Sequence, residues 1–217
     1  MDGMERAVKR RRYDTTARRA RSAETRQRII DAARDLMVAD GYRATTVAAV
    51  ASRAEVNVDT VYQLVGRKPL LLRELIEQAI SGTDHAVASE ERDYVHAIKA
   101  EPDPGGKLRL YARAVCSIQQ RMAPLVVALR DASSTEPEAE QVWQEISERR
   151  AANMRNLIRD VCDPGGLRPG LTVDEAADVV WMLNSSDVYL LMTRDRGWSP
   201  QRFEAWLADT WCRLLLG

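Results

Sequence analysis

Residues 45–68 read Thr-Thr-Val-Ala-Ala-Val-Ala-Ser-Arg-Ala-Glu-Val-Asn-Val-Asp-Thr-Val-Tyr-Gln-Leu-Val-Gly-Arg-Lys. The spacing predicts a short helix from Val47 to Ala54, a tight turn from Glu55 to Asn57, and a second short helix from Val58 to Val65. Two short helices joined this way form a helix-turn-helix, whose second helix enters the DNA major groove. Val47, Val50 and Ala51 make one stripe, and Val56, Val58, Val61 and Val65 follow, enough to close a small core between crossed helices. Thr46 is suited to cap the first helix and Asn57 the second. The outward positions of the second helix are Asp59, Thr60, Tyr62 and Gln63. All four side chains hydrogen-bond, and none is needed to fill a core.

Outward from this pair, Ser22 opens a helix to about Ala39, with Ile29, Ile30, Ala33, Leu36 and Met37 on one face. Asp40-Gly41-Tyr42 ends it, Gly41 suiting a left-handed terminal residue. On the other side Gly66 ends the second short helix, and Pro69 enters the first turn of the next. Leu71, Leu72, Leu75, Ile76, Ala79 and Ile80 make that helix strongly amphipathic to about His85. The chain is therefore expected to be all-α, in three parts. Residues 1–21 are a basic arm, 22–68 the three-helix DNA-binding domain, and 69–217 a helical ligand-binding and dimerisation domain whose residues 69–85 form a linking helix.

The arm includes Lys9-Arg10-Arg11-Arg12 and Arg18-Arg19-Ala20-Arg21, has few apolar residues, and is expected to be disordered. Two readings of it stand: a solvated tail without a role, or an electrostatic arm that follows the DNA backbone or enters a minor groove. Charge is uneven along the chain. Residues 1–80 hold sixteen basic and eleven acidic side chains, and residues 81–217 hold sixteen and twenty-one. That division suits an N-terminal part facing phosphate and a C-terminal part that does not.

Beyond residue 85 the pattern predicts helices over Glu90–Lys99, Lys107–Arg121 and Ala123–Ala132, with Asp103-Pro104-Gly105-Gly106 as a break. Thr135-Glu136-Pro137-Glu138 reads as a capping box for a long helix to about Val161. A loop follows over Asp163 to Gly170, and Thr172-Val173-Asp174-Glu175 is a second capping box, for a helix to about Thr193. Within it, Asn184-Ser185-Ser186-Asp187 reads as a kink or a new N-cap. Ser199-Pro200 opens the last helix, to about Leu216.

Cys116, Cys162 and Cys212 are odd in number and far apart, and with His85 and His96 they give no zinc spacing. They read as reduced thiols of a cytoplasmic protein. The basic N-terminus lacks the apolar core of a secretory signal, and no apolar run approaches the roughly 20 residues of a membrane helix. Gly-x-Ser-x-Gly, His-Glu-x-x-His and nucleotide-binding glycine patterns are absent from the sequence. Neither an enzyme, a metal site nor a cofactor is expected.

The segment from Thr25 to about Ile80 resembles the TetR family, the tetracycline-repressor-like bacterial regulators. The resemblance is carried by Ile30 with Ala32-Ala33, Leu36, Gly41-Tyr42, Thr45-Thr46-Val47, Val50-Ala51, Ala54, Val56, Thr60, Tyr62, Gly66, Lys68 and Leu71-Leu72. It implies a three-helix DNA-binding domain, a linking fourth helix, a ligand-binding and dimerisation domain, and a homodimer on a palindromic operator. By the same resemblance, Thr46, Tyr62 and Lys68 would contact phosphate, and Thr60 and Gln63 would face the groove. Glu55 and Asp59 stand where glycine is common, and Val65 where an aromatic is usual. A positive φ at Glu55 would cost about 1 kcal/mol.

Gln63 has the donor and acceptor to pair with adenine N6 and N7, or it is a solvated glutamine. Asp59 either accepts from cytosine N4 or serves the positive end of its own helix. Candidate ligand-facing residues are Tyr111, Cys116, Gln119, Met122, Trp143, Met154, Trp181, Met182 and Asn184, against the alternative of ordinary helix core. Leu183, Leu190, Trp206, Leu207, Trp211, Leu214 and Leu215 are candidates for a four-helix dimer interface. The expected function is a ligand-responsive repressor binding double-stranded operator DNA as a homodimer, with a small-molecule effector. The alternatives are an activator or partner-sensing regulator of the same fold, or an all-helical enzyme.

Overall fold

A computed structural model describes residues 3–83, 87–161 and 166–217, with side chains described for all of these except 3–15 and 89. His85, Cys162 and the first part of the loop expected from Asp163 lie outside the described residues. The all-α expectation holds. Among the described residues there are ten α-helices, one 3-10 turn and one π turn, and their one β pairing is an isolated bridge between Leu167 and Leu216. None of these helices is long and apolar enough to cross a membrane. The chain divides into two compact units, Met1–Leu75 and Ile76–Gly217. The division falls inside the linking helix, seven residues beyond the boundary expected at residue 68.

In the first unit, α1 covers Gly3–Ala44, α2 Val47–Arg53 and α3 Val58–Leu64, followed by α4, Lys68–Ser81. The helix expected to start at Ser22 starts at Gly3, so the segment expected to be disordered is helical. The sequence offers a reason: no glycine or proline interrupts Met4 to Asp40, and alanine and arginine are good helix formers. Gly41 breaks the helix at φ 81°, ψ 167°, a region open to glycine. Ile29, Ile30, Ala33 and Met37 of α1, Val50 and Ala51 of α2, Val61 of α3, and Leu71, Leu72 and Leu75 of α4 are buried together as the core. Val58 is not part of it: as the first residue of α3 it is 37% exposed.

The second unit contains α5 (Asp93–Ala100), α6 (Pro104–Ser133), α7 (Pro137–Val161), α8 (Val173–Leu183), α9 (Ser186–Leu190) and α10 (Pro200–Leu215), with the π turn at Leu191–Asp195. The two helices expected between residues 107 and 132 are one. Asp103 caps α6 by accepting from Gly106 N at 2.7 Å, so the Asp-Pro-Gly-Gly run begins the helix rather than breaking the chain. Pro124 lacks the N–H that would reach the Gln120 carbonyl, at a cost of about 3 kcal/mol. Burial of Met122, Ala123, Leu125, Val126, Ala128 and Leu129 around it offsets that cost. Thr135 donates to Ala132 O at the end of α6 rather than capping α7, whose first residue is Pro137. The box at Thr172–Glu175 is formed, with both reciprocal bonds. The helix expected from Thr172 to Thr193 stops at Leu183 and restarts at Ser186, where Ser185 accepts from Val188 N. The polar break at 184–187 is thus a new N-cap.

The core of this unit is built around α6 and α10. Trp211 stacks on Tyr111, with ring centroids 5.4 Å apart, and Phe203 meets Tyr189 edge-on at 5.1 Å. Met154 and Ile158 of α7 and Ala176, Ala177 and Val180 of α8 complete it.

Candidate nucleic-acid interface and ligand cavity

The turn between α2 and α3 forms because Glu55 adopts φ 56° while Val56 N reaches back to Ala51 O at 3.0 Å. Gly66, at φ 107°, closes α3 by donating to Val61 O. Between these turns, Asp59, Tyr62 and Gln63 of α3 are exposed and Thr60 is half-buried. Tyr62 is 49% exposed, far more than packing requires of a ring. Asn57 stands at the N-cap of α3 but makes no side-chain cap bond. Thr46 does cap α2: its Oγ1 accepts from Ala49 N at 3.0 Å, and the residue is exposed, which leaves its hydroxyl free to donate outward.

Lys68 has a different setting from the other expected phosphate contacts. Its ammonium donates to Tyr42 O at 2.8 Å and Thr45 O at 3.1 Å, and lies 3.8 Å from the Tyr42 ring centroid. It therefore ties the end of α1 and the lead into α2 to the start of α4. Arg53 is paired with Asp35 at 2.8 Å.

In the second unit a cavity of about 380 Å3 opens between α5, α6 and α7, reaching the C-terminal end of α8. Six of the expected ligand-facing residues line it: Tyr111, Gln119, Met122, Trp143, Met154 and Asn184. Cys116, Trp181 and Met182 do not. The Cys116 thiol is buried and donates to Pro200 O at 3.2 Å, and burial raises its pKa. Met182 is 53% exposed.

The polar groups gather near the end of α8. Asn184 Nδ2 donates to the Tyr111 hydroxyl at 3.0 Å, Gln119 Nε2 donates to Asn184 O at 2.5 Å, and Ser186 Oγ donates to Gln119 Oε1 at 2.8 Å. Asn184 Oδ1 is buried with no partner among the described residues. Burial raises the Tyr111 pKa, so the phenol stays neutral.

Sequence reasoning missed the arginines. Arg92, Arg149 and Arg150 all line the cavity. Arg150 stacks its guanidinium 4.2 Å from the Trp181 ring centroid and donates to Trp181 O, while its Nε is buried without a partner among the described residues. Burial pulls its pKa down to about 10, which leaves it charged at neutral pH. The signal was present in the spacing: Trp143, Ser147, Arg150, Met154 and Leu157 recur on one face of α7.

The expected dimer residues divide by burial. Leu207, Trp211 and Leu215 are fully buried in the core of the second unit, which leaves them no surface to offer a second copy. They occupy every fourth position of the inward face of α10. Leu183, Leu190 and Trp206 are half-buried and pack against that core, Leu214 is 39% exposed, and Met182 and Leu191 are 53% exposed each.

Residues 29–75 match the family model of the bacterial regulatory proteins of the tetR family. No curated protein matches the chain. Among solved structures, FadR of Bacillus subtilis in complex with stearoyl-CoA is 20% identical, with a TM-score of 0.68 over 85% of this chain and 96% of that one. A protein of Saccharomonospora viridis in complex with choline is 18% identical, with a TM-score of 0.66 over 89% and 98%. A Mesorhizobium loti protein described as a TetR-family transcriptional regulator is 20% identical, with a TM-score of 0.64 over 89% and 95%. At these identities the likeness is one of fold, and it extends along most of the chain. The chain is thus similar at residues 29–75 to the N-terminal domain of the tetR family of bacterial regulatory proteins, and its fold is similar to that of these solved structures.

Proposed function

We propose that the protein is a cytoplasmic, ligand-responsive transcriptional repressor, not an enzyme, that binds a palindromic operator as a homodimer. The observation that carries this reading is the outward face of α3, where Asp59, Tyr62 and Gln63 are exposed on a helix held by a well-packed core. Gln63 reads a base edge, Thr60 faces the groove, and Tyr62 and the Thr46 hydroxyl contact phosphate. Asp59 lies in the first turn of α3, where the helix dipole favours a negative charge. Lys68 acts by fixing the position of α2, with any phosphate contact secondary.

The cavity in the second unit supports an effector site, and the capture of stearoyl-CoA by one structural relative and choline by another supports a small molecule in that role. The continuous helix α4 supports a route for coupling. Its Leu71, Leu72 and Leu75 are buried in the first unit, and its Ile80 lines the cavity in the second. An effector shifts the DNA-binding equilibrium only by its differential affinity for the two states. The exposed apolar side chains Met182, Leu191 and Leu214, with half-buried Leu183, Leu190 and Trp206, are the revised dimer surface.

Binding selection from random duplex DNA tests the reading. The wild-type protein should enrich an inverted repeat, and Gln63→Ala should relax one base pair in each half-site at a cost of about 1–3 kcal/mol. Enrichment of no sequence, or of identical sites by both proteins, would overturn the assignment of α3 as the reading helix. A reporter under the enriched site, in cells with and without the protein, separates repression from activation.

A further inference from the structure

The cavity of the second unit is apolar along most of its wall, and its charged lining residues are mostly basic. Ile98 of α5, Val115, Ile118 and Met122 of α6, and Ile146 and Leu157 of α7 form the apolar wall. Its charged lining residues are Arg92, Lys99, Arg149 and Arg150 against Glu90 and Asp160. Both Arg149 and Asp160 are already paired, with Glu77 and Lys107. Arg92 turns two of its donors to Val87 O and a third to the Tyr94 hydroxyl. Arg150 is half-buried with its Nε enclosed, yet no carboxylate among the described residues lies within ion-pair distance of it. Asp187, the acid nearest in effect, is held by Arg130 at 2.5 Å. A guanidinium drawn into a cavity wall without an anion is costly to keep, and the fold gives this one only a carbonyl and an aromatic face.

We propose that the cavity takes an amphipathic carboxylate, its charged end paired with Arg150 and its apolar body laid along α6 and α7. The guanidinium fork matches a planar carboxylate by two parallel hydrogen bonds, which an ammonium cannot reproduce. The pairing neutralises the buried charge in place of an internal acid. This inference rests on the effector reading of the cavity and adds the chemistry of the effector.

Three probes with one apolar body and different heads test it on the full-length protein: octanoate, 1-octanol and octyltrimethylammonium, each titrated by calorimetry. Octanoate should bind at least about 10-fold more tightly than the alcohol, as expected for a hydrogen-bonded charge pair, and the cation should bind weakest. Arg150→Met should weaken octanoate by roughly 10- to 100-fold and leave the alcohol almost unchanged. Arg150→Lys should recover part of the preference. If Arg150 only holds the end of α8, Arg150→Met should lower the melting temperature and weaken all three probes alike, which would overturn the proposal. Equal binding of acid and alcohol, a preference for the cation, or no binding of any probe would overturn it too. Sequence-selective DNA binding, measured separately, keeps the two readings distinct. A protein that selects an operator but ignores octanoate refutes this inference alone. A protein that binds octanoate through Arg150 but selects no DNA refutes the regulator reading alone.

Discussion

Glu55 holds a backbone angle that favours glycine, φ 56°, the one positive φ at a non-glycine residue among those described. Its side chain is exposed and makes no bond that would justify the strain. Replacing it with glycine removes the clash of Cβ with the left-handed backbone and should stabilise the first unit by about 1 kcal/mol, less a few tenths for the added freedom of the unfolded chain. Urea unfolding of the two proteins measures the difference, and a less stable Glu55→Gly variant would contradict it. This position was legible from sequence because a tight turn between two short helices constrains the backbone directly. Lys68 was not. Its ammonium serves carbonyls of Tyr42 and Thr45, more than twenty residues away in sequence, and only the packed domain brings them together. Lys68→Ala should therefore destabilise the domain by about 1.5–3 kcal/mol, the usual loss for hydrogen bonds to a charged group. It should also weaken DNA binding on every sequence alike. Unchanged unfolding with weakened binding would restore a purely phosphate-contacting role.

At the scale of the element, α10 teaches the difference between an apolar face and an interface. Periodicity marks Phe203, Leu207, Trp211 and Leu215 as one stripe, but it does not say whether the stripe meets its own chain or a second copy. The structure places all four inside, with Trp211 stacked on Tyr111. Trp211→Ala should then cost about 3–5 kcal/mol of stability, the range for deleting a large buried aromatic. The surviving folded fraction should keep the association state of the wild type. Met182→Glu addresses the outer surface instead. It should weaken dimerisation while leaving unfolding of the dissociated protomer nearly unchanged, since Met182 is 53% exposed. Sedimentation across a concentration series reads the first effect and thermal unfolding the second. A dimer of unchanged affinity would clear α8 of this role. Local rules located some helix starts and missed others. Thr46, Thr172, Ser185 and Ser199 all cap as their types predict. Pro124, by contrast, lies inside α6 because burial on both sides outweighs a local rule. Arg150 escaped notice for a related reason: charge in a sequence reads as surface, and only the packed helices turn it toward a cavity.

At the scale of the whole molecule, charge separates the two ends of the chain, and its most basic stretch is the start of α1. Residues 1–21 contain eight basic and three acidic side chains, and Thr16 to Glu24 are exposed where described. Among the residues of α1 whose side chains are described, the first buried one is Ile29. Residues 16–21 are exposed, and deleting residues 1–21 should leave unfolding unchanged. A helix that carries such a charge beyond the domain offers phosphate contacts that sequence reading cannot, since each contact releases counterions whatever the bases are. If the arm lies along the duplex, its loss should flatten the slope of log K against log salt by about 0.9 for every contact removed. Affinity should fall most at low salt, while the operator selected stays the same, because backbone contacts carry position rather than sequence. Anisotropy titrations of the full-length and shortened proteins over a range of salt concentrations give both slopes. Equal affinities and equal slopes would leave the extended start of α1 without a role on DNA. A changed operator at one flank would instead point to arginines reading a narrow minor groove.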